Sequence, residues 1–224
     1  MRSILIDLII EIHFKFNFTD ETLSLTVLII DKYLSKNQVQ KKYFQLLGIT
    51  ALLIACKHEE IDVPKIDVFI YITDNAYIKS EVLEMEYKIL SFLNFNLLYP
   101  STIKFYEYLS LYFNFDKKMF FLGKYFMESF LLDIKVNKYK PATISCASCY
   151  VVMKFFKKNN YKDSYMKKFF LVDNDKENNI EYNVKECAKD ICLLVNYITK
   201  CNYVSCYKKY AKPEFEKVSI IISE

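Results

Sequence analysis

Cys146 and Cys149 form a CxxC, with Cys201 and Cys206 downstream, and thiolates at such spacing raise zinc as a ligand. The pair nevertheless lies within PATISCASCYVVMKFF, which reads as one continuous helix, and neither His13 nor His58 is near it. The 7 cysteines, an odd number, suit a reducing compartment and are read as small core residues with reduced thiols. The acids Glu59 and Glu60 are adjacent, so on a helix they point in different directions and cannot act together on one atom. With no His, Cys and acid set at ligand spacing, the chain is not expected to be an enzyme. Its 2 glycines, Gly48 and Gly123, stand far apart, which excludes the glycine-rich loops that cradle phosphates, and no cofactor is expected. Arg2 is the single arginine, and the 31 basic and 27 acidic side chains are largely interspersed, so no nucleic-acid partner is expected either.

The elements that must position these residues read as helices. A composition of 53% hydrophobic and 17% aromatic residues with 2 Gly and 4 Pro favours helices joined by short loops over turn-rich β architecture. Met1 to Phe16 is apolar almost all the way round, broken by Arg2, Asp7, Glu11 and Lys15, the pattern of a helix wrapped by others. Thr19, followed by Asp20 and Glu21, predicts a capped helix start, and that helix runs to about Ser35. A third helix is predicted over Lys42 to Glu60, with Gly48, Ala51 and Ala55 along one side, which makes it the expected hub. Pro64 predicts the first turn of a short helix through Phe69 and Ile72. A fifth helix follows over Ile78 to Asn94, with Val82, Met85, Ile89 and Leu93 inward.

Pro100 and Ser101 mark a restart. Helices are predicted at Thr102 to Phe113, Lys117 to Leu132, Pro141 to Phe156, Ser164 to Leu171 and Val184 to Lys200, with a solvated loop at Val172 to Asn179. The third of these repeats the small-residue hub through Ala142, Ser145, Cys146, Ala147 and Cys149. The expected class is all-α, a tandem of two five-helix units. Lys208 to Glu224 is expected to be a tail that packs back on the body. The longest uncharged run, Tyr43 to Cys56, is about fourteen residues and falls short of a bilayer span; with no leader evident, a nuclear and cytoplasmic protein without a membrane partner is expected.

Four blocks of the first half carry a family resemblance: MRSILIDLIIEIHFKF, ETLSLTVLIIDKYLS, FQLLGITALLIACKHEEI and YITDNAYIKSEVLEMEYKILSFLNF. In this order and near this spacing they resemble a cyclin of the mitotic A/B type. The second half resembles the C-terminal cyclin box in helix order and in KYAKPEFEKVSI. The resemblance implies an N-terminal cyclin box over 1–98, a C-terminal one over 99–207 and a tail over 208–224. It also implies a regulatory subunit that binds and activates a cyclin-dependent serine/threonine kinase, helps recruit its substrates and controls mitotic progression.

Residue by residue, Lys57 and Glu86 match the lysine and glutamate that grip the kinase in this family, and Phe95, Leu90, Leu97 and Ile54 match the apolar side of that grip. His58 stands where an aromatic residue is usual at the same interface. Met1, Ile4, Leu5, Leu8, Glu11 and Gln45 match the groove that docks substrate or inhibitor peptides carrying a basic residue and a leucine. Leu8 replaces the family's tryptophan there, which predicts a shallower groove. Arg2 and Asp31 match a charged pair with a structural role, because a guanidinium near the start of a buried helix needs a carboxylate. Relatives carry a region before this first helix, including a helix against the kinase and a degradation signal; the chain is expected to be either a fragment or a minimal cyclin controlled in another way. Tandem cyclin boxes also occur in general transcription factors that bind promoter DNA and polymerase, but the basic face and zinc ribbon these need are not visible.

Overall fold

The computed structural model describes residues 1–157, 180–198 and 205–222, and every regular element among them is helical. Two units divide the chain, Met1–Pro100 and Ser101–Glu224.

In the first unit, α1 (Arg2–Phe16) ends on Asn17, whose left-handed backbone turns the chain in a conformation asparagine tolerates. Thr19 caps α2 (Asp20–Lys36): its hydroxyl accepts from the Thr22 N–H, and Asp20 and Glu21 occupy the first turn. A 3-10 turn at Lys41–Tyr43 leads into α3 (Phe44–Glu59), which is followed by α4 (Ile66–Ile72) and α5 (Lys79–Phe92). Pro64 stands just before α4, whose N-cap is Lys65, rather than in its first turn.

The hub is α3. Every residue from Leu46 to Cys56 is buried, and α1, α2, α4 and α5 all pack on it. Although α1 looks apolar on all sides, it flanks the unit: Leu5, Ile6, Ile9, Ile10 and Ile12 face inward, while Met1, Ile4, Glu11 and Lys15 stay exposed. The small residues of α3 explain why the centre lies there, since Gly48 lets Leu5 approach its backbone where a Cβ would lie 2.5 Å from Leu5 Cδ1. On α5, Val82 and Ile89 are buried, with Met85 and Leu93 half-buried beside them.

In the second unit, Ser101 caps α6 (Thr102–Tyr112) and Asp116 caps α7 (Lys117–Phe130), each side-chain oxygen accepting a backbone N–H of the first turn. After a 3-10 turn at Ile134–Lys138, α8 (Pro141–Phe155) begins on its proline, as the missing N–H of that residue favours. The remaining described helices are α9 (Ile180–Ile198), α10 (Ser205–Tyr210) and α11 (Val218–Ile221), with a 3-10 turn at Pro213–Phe215 between the last two. The helix expected at Ser164 to Leu171 and the loop at Val172 to Asn179 lie outside the described residues. α8 is packed by α6, α7 and α9, with Ser145, Ala147, Ser148 and Cys149 buried, and α7 shares the centre by taking α8, α9, α10 and α11. The C-terminal segment joins this core: α10 runs across residue 208, and Tyr210, Val218 and Ser219 are all buried.

Burial pushes the Cys146 thiol up to about 11 and the Cys149 thiol well above its usual value, so both are protonated at neutral pH and pack as small apolar groups on α8. Cys201 lies outside the described residues. Among those described, no three His, Cys, Asp or Glu side chains stand close enough to hold a metal ion, and no helix is long and apolar enough to cross a membrane.

The turn before α8 is tied to α9 by Asp190, which accepts from Lys135 Nζ at 2.9 Å and from Tyr139 Oη at 2.8 Å. Partial burial alone would raise its pKa, but the Lys135 and Tyr139 hydrogen bonds win and hold it below the ordinary carboxylate value. A depressed carboxylate stabilises the fold above its unfolded pKa and loses that contribution as the pH falls through the folded one. The melting temperature of the wild-type chain is therefore expected to fall more steeply than that of Asp190→Asn below about pH 4. Parallel acid profiles of the two proteins would contradict this.

Candidate functional site

The last turn of α3 emerges from the core at Lys57, because Cys56 is the final buried residue of the helix. Its ammonium meets Glu86 of α5 at 2.6 Å, with side-chain exposures of 49% and 12% respectively. A half-exposed pair of this kind contributes only about 0–1 kcal/mol to stability, so holding α3 to α5 is not its main effect. An ammonium has three donors, and one bond to Glu86 leaves others for a partner. The next residue, His58, is exposed and places Nδ1 2.9 Å from Glu59 Oε1.

Phe95 follows the end of α5, where its N–H donates to the Leu90 carbonyl at 2.9 Å. Its φ is 56° and that of Asn94 is 50°, two successive left-handed residues, and for a bulky side chain this conformation costs about 1–3 kcal/mol. The strained aromatic is also 67% exposed, so burial does not compensate for it. Leu90 and Leu97 are half-buried. Ile54 is 2% exposed, so it lies beneath this surface as core rather than on it.

Along α1, Met1, Ile4 and Glu11 are exposed and Leu8 is half-buried, while Gln45 is half-buried at the start of α3. Leu5 is buried against Gly48 and belongs to the floor beneath these residues. On the other side of α1, Arg2 meets Asp31 of α2 in a two-pronged pair, Nε to Oδ1 at 2.6 Å and Nη2 to Oδ2 at 2.8 Å. Both side chains are largely buried, and the fork geometry fixes α1 against α2.

Several residues escaped the sequence reading. Leu83 and Tyr87 are exposed on α5 and, with Leu90, form an apolar stripe beside Glu86; their i, i+4, i+7 spacing was a usable signal. Ile61, 99% exposed just beyond α3, and Leu98 carry no comparable signal, since apolar identity does not announce exposure. Glu60 was passed over as half of an adjacent acid pair. Its Oε1 in fact accepts from the Thr19 N–H at 2.8 Å, from the Thr19 hydroxyl at 3.0 Å and from the Thr22 hydroxyl.

Two family models tile the chain: "Cyclin, N-terminal domain" matches residues 1–98 and "Cyclin, C-terminal domain" matches residues 100–224. The chain belongs to the cyclin family. Among cyclins it is similar to the G2/mitotic-specific cyclin-B2 of Homo sapiens, 35% identical over 223 residues that cover 99% of this chain and 54% of that protein. It is also similar to Cyclin-B2-1 of Oryza sativa subsp. japonica, 42% identical over 150 residues, 67% of this chain and 36% of that one. The chain thus spans between about a third and about half of the length of these cyclin relatives. A solved viral cyclin from herpesvirus saimiri matches with a TM-score of 0.69 at 18% identity over 85% of each chain, a likeness of fold. Both units are cyclin domains, and the all-α tandem architecture expected from periodicity is the architecture of the family.

Proposed function

We propose that this cyclin is a regulatory rather than catalytic subunit, which binds and activates a cyclin-dependent serine/threonine kinase at mitosis, in the nucleus and cytoplasm. The observation that carries this reading is the half-exposed Lys57–Glu86 pair at the end of α3, flanked on α5 and just beyond it by apolar groups and by the strained, exposed Phe95. None of these features is explained by stability, and an exposed ammonium beside an uncovered aromatic suits a partner helix that brings apolar side chains and backbone acceptors. In the mechanism implied, this surface, with His58, Leu90 and Leu97 at its edge, holds the kinase's regulatory helix inward so that its glutamate pairs with the phosphate-binding lysine. The human relative is a G2/mitotic-specific cyclin, which supports the stage.

Met1, Ile4, Leu8, Glu11 and Gln45, above Leu5, are proposed to dock a substrate or inhibitor peptide, the apolar residues taking its leucine and Glu11 its basic residue. Docking beside the bound kinase would raise the effective concentration of the substrate.

The test is capture of a kinase from the native cell with the wild-type chain and with Lys57→Ala, Glu86→Ala, followed by an activity assay. The double substitution is expected to lower bound kinase activity by about tenfold or more. Full activity would overturn the site assignment, and failure of the wild-type chain to recover any kinase would overturn the function.

A further inference from the structure

Resting on that reading of the α3–α5 surface, we propose that Glu60 is the positioning residue that sets where Lys57 and His58 stand. Lys57 and His58 are exposed, so packing of their own side chains does not hold them in place. Glu86 and Glu59 hold their tips, and the backbone of the last turn of α3 sets where both side chains start. Glu60 is the residue immediately after that helix; its own N–H donates to the Cys56 carbonyl at 2.9 Å, so it is coupled directly to this turn.

A carboxylate at the C-terminal end of a helix faces the negative pole of that helix and is unfavourable there. Glu60 resolves this by reaching away to the N-terminus of α2. One oxygen, Oε1, accepts from the backbone N–H and hydroxyl of Thr19, the N-cap of α2, and from the hydroxyl of Thr22 in its first turn. Thr22 is fully buried, so the receiving end is rigid. The same capping residue is held from a third helix, because His13 Nε2 of α1 stands 2.9 Å from the Thr19 carbonyl. The exposed end of α3 is therefore tied to the corner where α1 and α2 meet.

Kinase affinity of the full chain, measured with the kinase recovered in the capture experiment, tests this. Glu60→Ala is expected to weaken binding by about tenfold, the scale of hydrogen bonds to one charged group. Glu60→Gln, which keeps an acceptor oxygen in the same place, should recover most of that affinity. In the Lys57→Ala, Glu86→Ala background, Glu60→Ala should add clearly less loss than in the wild-type chain, since only its effect through His58 remains. Tyr77→Phe serves as a stability control: it deletes the Tyr77 hydrogen bond to the Lys42 carbonyl before the opposite end of α3 and should leave affinity unchanged. If Glu60→Ala does not fold, Thr22→Val, which deletes a single bond to the carboxylate, should weaken binding by about threefold.

Wild-type affinity in Glu60→Ala, or in Thr22→Val where that variant stands in, overturns the inference alone. So does a full additional loss in the double background, or an equal loss in Tyr77→Phe. Wild-type affinity in Lys57→Ala, Glu86→Ala overturns the surface itself, and this inference with it.

Discussion

Glu128→Ala is expected to destabilise the second unit by about 3–5 kcal/mol, read as an early transition in urea or thermal unfolding. Glu128 on α7 meets Lys209 on α10 at 2.6 Å, and each side chain is 6% exposed. The same Oε2 accepts from Tyr210 Oη at 2.9 Å, so one carboxylate oxygen serves two donors from the C-terminal segment. Removing the carboxylate takes the counter-ion from a buried ammonium that also lies 5.2 Å from the Tyr210 ring and 5.9 Å from the Phe215 ring. Ring contacts of that kind contribute about 1–2 kcal/mol and cannot replace a buried counter-ion. Replacing both charges, Glu128→Met with Lys209→Met, should recover most of the loss, because a well-packed apolar pair avoids the desolvation cost of the ions. A single variant as stable as wild type would show that the pair is not buried in solution.

Gly123→Ala is expected to cost about 3 kcal/mol or more, far beyond an ordinary glycine replacement in a helix, which would by propensity be stabilising. A Cβ at Gly123 would lie 1.9 Å from Tyr106 Oη and 2.3 Å from its Cζ. Tyr106 is fully buried and donates toward the Met119 and Phe120 carbonyls, both at 3.1 Å, so neither ring nor hydroxyl has room to retreat. Gly48→Ala is the internal comparison. Its Cβ would meet the terminal methyl of Leu5 at 2.5 Å, the far end of a flexible side chain, and its cost should be clearly smaller. Melting curves of the two variants with the wild type decide the point; equal losses would contradict the account of Gly123.

How much of the molecule was legible depended on the distance over which each feature is encoded. The Thr19 cap, the inward Val82 and Ile89 of α5 and the proline start of α8 rest on residues within about two helical turns of one another, and periodicity and capping chemistry exposed them. The small residues of α3 mark it as the hub in the sequence, although the broad apolar surface of α1 has the pattern of a central helix too. α1 carries apolar residues on every side, yet α3 is the hub, because close approach is decided by small residues such as Gly48 and not by the breadth of an apolar face.

At the candidate site, the four-block resemblance pointed to Lys57, Glu86 and Phe95, and the structure adds the exposure of Lys57 and Phe95 and the strain at Phe95. In the sequence Glu60 stands out only as the neighbour of Glu59, and nothing singles out Glu128. Their partners lie 41 and 81 residues away. The helical class, the tandem order and the helix starts follow from local contacts that recur with the period of a helix, which the sequence displays directly. Which acid holds another helix, which charge is buried and which apolar side chains are left uncovered follow from residues brought together across the chain, and no local period encodes that meeting.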